Sequence, residues 1–107
     1  MSADARAGGQ SLEHYLAAAA IEAGAGMTRA EGGLQFTRGG QPFAVVVGNV
    51  AEVRLDPEVA EAALGTPSTS PSSRGPGWVR LAPDELSEMD FDRAKAWFLS
   101  AWRNADR

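Results

Sequence analysis

Two residue pairs that accept positive φ, Gly39-Gly40 and Gly48-Asn49, bracket the run Gln41–Val47, and no other feature constrains the fold as tightly. Two-residue turns of this kind match the twist of antiparallel strands. A meander of Leu34–Arg38, Gln41–Val47 and Val50–Leu55 is therefore expected. With both turns tight, Phe36 falls opposite Phe43, Leu34 opposite Val45, Val47 opposite Val50, and Phe43 opposite Arg54, all on one face. The other face then carries Gln35, Ala44, Val46, Ala51, Val53 and Leu55, so neither face is cleanly polar. Either a bulge shifts one strand's register, or the second face is covered by loops, a tail or another subunit. The unbroken apolar run Phe43–Val47 reads as a central strand and favours cover.

Helical patterns flank the meander. Ser11 stands at an N-cap position before Leu12, Tyr15, Leu16, Ala19 and Ala23, which recur at helical steps up to Gly24, leaving Glu13, Ala17 and Glu22 for solvent. Asp56-Pro57-Glu58 opens a short helix whose buried side is expected to be Val59, Ala62, Ala63 and Leu64. Residues 66–77 have no apolar anchor and read as a mobile surface loop. Trp78-Val79-Arg80-Leu81 has the character of a fourth strand. Asp90 then caps a last helix whose apolar stripe is Phe91, Ala94, Phe98, Ala101 and Trp102. The fold class is α+β: an antiparallel meander of about four strands, with two longer helices and one short helix packed mainly on one face. In 107 residues there is room for one core, so residues 11–105 are expected to form a single domain after a disordered lead-in at 1–10.

Composition excludes more function than it supplies. With no Cys and a single His14, thiol chemistry, thiolate metal sites and any site needing two imidazoles are ruled out. No nucleophile elbow or phosphate-cradling glycine motif occurs, and no cofactor or metal is expected. The acids from Asp84 to Asp92 lack the spacing of a calcium loop and suit a helix start. No apolar run is long enough to span a bilayer, and residues 1–9 lack the core of a secretory signal, so an intracellular, cytoplasmic chain with no membrane partner is expected.

The net charge of −4 opposes nucleic-acid binding unless the arginines cluster. Candidates for a cluster are Arg38 at a hairpin tip, Arg54 ending a strand, Arg74 in the long loop, and Trp78 and Arg80 on the fourth strand. Converging on a twisted sheet, they form a basic, partly aromatic patch for phosphate or a carboxylate-bearing partner. Otherwise Arg54 and Arg80 pair with Glu52 and nearby acids. A second partner class, another protein, a small ligand or a second copy of this chain, would use a semi-apolar sheet face around Phe36, Phe43 or Trp78.

The run from Phe43 to Glu58 resembles the central hairpin of the YjbR/TfoX N-terminal-like family, in which a Phe-Ala strand turns and returns as an apolar–Arg–apolar strand before a helix. Gly77-Trp78-Val79-Arg80-Leu81 and the stretch from Asp92 to Arg103 are similar to that family's next strand and final helix. The likeness covers about residues 12–104 in order. It implies a small α+β fold with helices on one side of an antiparallel sheet, no shared catalytic residues, and DNA binding in some members.

Overall fold

The computed structural model describes residues 10–105, so the expected lead-in at 1–10, all but Gln10, lies outside the described residues. Helix α1 spans Leu12–Ala23, beginning where the Ser11 hydroxyl accepts from His14 N and ending at Gly24 (φ 82°), whose N–H returns to the Ala20 and Ile21 carbonyls. Strands β1 (Gly26–Ala30), β2 (Gly33–Arg38), β3 (Gln41–Val47) and β4 (Val50–Arg54) follow, then helix α2 (Pro57–Ala63). Strands β5 (Thr69–Pro71) and β6 (Trp78–Leu81) precede helix α3 (Glu88–Asn104). The fold is α+β, with three helices and one antiparallel sheet in the order β1-β2-β3-β4-β6-β5.

The sheet has six strands where about four were expected, because both edges gain one. At one edge β1 reaches β2 through Glu31-Gly32, both at positive φ (58° and 84°), a conformation that Glu rarely adopts and therefore does not signal. At the other edge the segment read as loop, 66–77, contains β5, which pairs with β6 from Thr69↔Leu81 to Pro71↔Val79. Ser and Pro carry little strand propensity, and β5 exists because β6 offers an unpaired edge.

The β2–β3 register departs from tight two-residue pairing. Arg38↔Gln41 and Thr37↔Pro42 leave the turn as expected, but Phe36 then faces Ala44 and Leu34 faces Val46, so Phe43 is the extra residue of a bulge. Pro42 has no N–H for the ladder, which makes this a natural place for pairing to slip. Phe43 and Ala44 consequently both reach the helix-side core, while Val45 turns to the opposite face between Gln35 and Glu52. Beyond the bulge β3 meets β4 as expected at Val47↔Val50, but this ladder ends at Ala44↔Val53; Arg54 faces Trp78 rather than Phe43.

The core joins Phe36, Phe43, Ala44, Val46, Val53, Val79 and Leu81 of the sheet to Leu12 and Leu16 of α1 and to Ala94, Phe98 and Ala101 of α3. Phe98 is its hub, meeting Phe36 and Phe43 edge-on at 5.0 and 5.1 Å between ring centroids. Two caps hold the helices in place. Asn49 Oδ1 accepts from Leu12 N at 3.0 Å, and Glu13, expected to face solvent, exchanges bonds with the Gly48 backbone at 2.9 and 3.0 Å. Helix α3 is capped by Ser87, not Asp90; Asp90 lies one turn inside and reaches back to Ser87 N at 2.9 Å, completing a capping box.

Candidate partner-binding face

Alternation along the strands sends Val45, Glu52, Arg54, Trp78 and Arg80 to the sheet face opposite the helix-side core. The cross-strand pairs Glu52↔Arg80 and Arg54↔Trp78 make Arg54 and Arg80 diagonal neighbours on this face. Arg80 is exposed, and among the described residues neither Arg54 nor Arg80 forms an ion pair. Arg54 Nε is buried and has no hydrogen-bond partner among the described residues.

Arg74 joins the same face from the β5–β6 connection. Its Nε donates to Glu52 Oε1 at 2.8 Å, while its two terminal nitrogens donate to the two Glu31 oxygens at 3.1 and 2.5 Å. Buried Ser72 donates to the second Glu52 oxygen at 2.7 Å and accepts from Arg74 N at 3.1 Å. The Trp78 ring lies 5.8 Å from the guanidinium carbon, within cation–π range. Hydrogen bonding from Arg74 holds the Glu31 carboxyl below its usual range, and the same contact, reinforced by Glu52, pushes the guanidinium upward. Glu52, which on the alternative reading pairs with Arg54 and Arg80, is taken by Arg74 instead.

Arg38 does not join this cluster. Its guanidinium lies 4.3 Å over the Trp102 ring and donates to the Trp102 carbonyl at 2.9 Å, tying the end of β2 to α3. Phe36 and Phe43 are wholly interior, so the apolar contact surface expected around them is absent; Trp78 is half-buried. His14 is exposed on α1. Among the described residues no group of three or more His, Asp or Glu side chains comes together, and Asp90 is occupied by its capping box and by Arg93 at 3.5 Å.

Sequence reasoning did not find Glu31 or Ser72. Glu31 meets Arg74 across a separation of 43 residues, and it does so through a turn whose positive φ is unusual for its residue type. A basic, aromatic-edged sheet face with one internally neutralised arginine is thus the most chemically distinctive surface described. The fold is similar to that of a protein from Pseudomonas syringae determined by a structural genomics consortium, with a TM-score of 0.57 and 11% identity over 82% of this chain and 97% of that one. At that identity the likeness is one of fold alone. No family model matches the sequence, and no curated protein matches it.

Proposed function

We propose that this chain is a noncatalytic binding module of the YjbR type, its helices covering mainly one face of the sheet. It acts inside the cell and docks an anionic partner, nucleic acid first, on the opposite face through Arg54 and Arg80 beside Trp78. The observation that carries this reading is the pair of diagonal arginines without ion-pair partners. Guanidinium groups suit phosphate oxygens, and an adjoining aromatic ring suits a base. The absence of any helix long and apolar enough to cross a membrane, among the described residues, is compatible with a partner met in solution.

The same geometry sets the strength. Arg74 is neutralised by Glu31 and Glu52, which leaves two cations for phosphate. Two contacts imply a slope of about −1.8 for log K against log salt on duplex DNA, or roughly a twelvefold loss between 50 and 200 mM salt. Proteins making 6–10 phosphate contacts lose about 10³ to 10⁵ over that interval. Titration of labelled duplex DNA at low salt tests the reading, and no mobility shift at micromolar protein would end it. A protein partner is the second reading, favoured by Glu31 and Glu52, because carboxylates repel phosphates but suit a polypeptide of mixed charge.

A further inference from the structure

Glu31 and Glu52 already hold an arginine, and the way they hold it describes a site. Glu31 takes both terminal nitrogens side by side, and Glu52 takes Nε from another direction. The two carboxylates thus meet three of the five N–H groups of the fork. The ring of Trp78 lies beside the same guanidinium. Two receptor groups stand on strands, Glu52 within β4 and Trp78 opening β6, while Glu31 stands in the tight β1–β2 turn. The arginine stands on the loop between β5 and β6, followed by Gly75 and Gly77 at φ 136° and 83°. Two carboxylates and a ring on one side and a loop-borne arginine on the other are the parts of a site filled from within the chain.

We propose that Glu31 and Glu52, with Trp78 alongside, form a guanidinium receptor that Arg74 occupies in cis and that an arginine of a basic polypeptide segment enters when the loop lifts away. Charge complementarity at the site itself selects this occupant, since the two carboxylates match the planar fork that Lys lacks. An intramolecular arginine acts at an effective concentration of about millimolar or above, so a single free arginine does not displace it from the native chain. A partner must bring further contacts. The site shares Trp78 with the anionic reading but uses neither Arg54 nor Arg80, so the two are tested by different residues.

The experiment is an NMR titration of Arg74→Ala with N-acetyl-arginine amide, with N-acetyl-lysine amide as comparison. Saturable shifts at Glu31, Glu52 and Trp78 are expected, with affinity at least about tenfold above that of the native chain and of the lysine compound. Adding Glu31→Gln and Glu52→Gln should abolish them. Arg74→Gln, which keeps a polar side chain in the loop, answers the same question should Arg74→Ala not fold. Equal response to the two compounds, or no gain over the native chain, would overturn the proposal.

Discussion

Replacing Gly33 with Ala tests the β2–β3 packing at a position where nothing in the sequence advertises a constraint. An added Cβ would lie 2.2 Å from the Val46 carbonyl oxygen and 2.8 Å from Val47 Cα, both backbone atoms that no rotamer change can move. Relief to an ordinary contact of 3.4 Å requires more than an ångström of strand separation, enough to break nearby ladder bonds. Leaving one or two such buried groups unpaired costs about 2–4 kcal/mol, of which the stiffer unfolded chain returns about 0.4–1. The net loss is then about 2–3 kcal/mol, or roughly 8–20 °C in Tm for a domain of this size. Gly40→Ala is the control. Its φ of 82° costs about 1–2 kcal/mol for a residue with a Cβ, but nothing lies within 4 Å, so after the same correction about 1 kcal/mol is lost. Urea unfolding followed by tryptophan fluorescence, with the slope held common, reads both. A Gly33→Ala protein at least as stable as Gly40→Ala would refute the register drawn through the bulge.

Phe98→Ala removes the hub of the aromatic core and should cost about 3–5 kcal/mol, a large share of a small domain's stability, measured by the same unfolding experiment. The Glu31 carboxyl is held below its ordinary value in the folded chain, so its contribution is present above the unfolded value and is lost as pH falls through the folded one. Glu31→Gln should therefore lower the urea midpoint slightly at neutral pH, match the native chain at low pH, and so flatten the acid-side decline by the same small amount, small because the group is exposed.

The parts of the fold written in local chemistry were legible. Ser11 and Gly24 bound α1, Asp56-Pro57 opens α2, and Gly39-Gly40 and Gly48-Asn49 turn the meander, each through a preference acting over a few residues. What could not be read depends on partners far along the chain. Strand β5 has no propensity of its own, the bulge raised as one of two alternatives could not be placed at Phe43, whose ring packs on Phe98 and Trp102, and the Glu31–Arg74 pair joins two turns that become neighbours only once the sheet forms. Asp90 shows the reverse error, because a good capping residue lay three positions inside a better one. Of the candidate arginines, Arg54, Arg74 and Arg80 reach one face through strand alternation and a loop contact. Arg38, at the end of β2, is drawn instead to Trp102.

That division between Arg80 and Arg38 supplies the most direct test of a far-face docking surface. The measurement is the salt dependence of duplex-DNA affinity for the native chain, Arg80→Ala and Arg38→Ala. The slope should be about −1.8 for the native chain and for Arg38→Ala, falling to about −0.9 for Arg80→Ala. Arg38→Ala should lose stability instead, through its contacts with Trp102. No binding at low salt, or equal weakening by the two substitutions, would contradict the account.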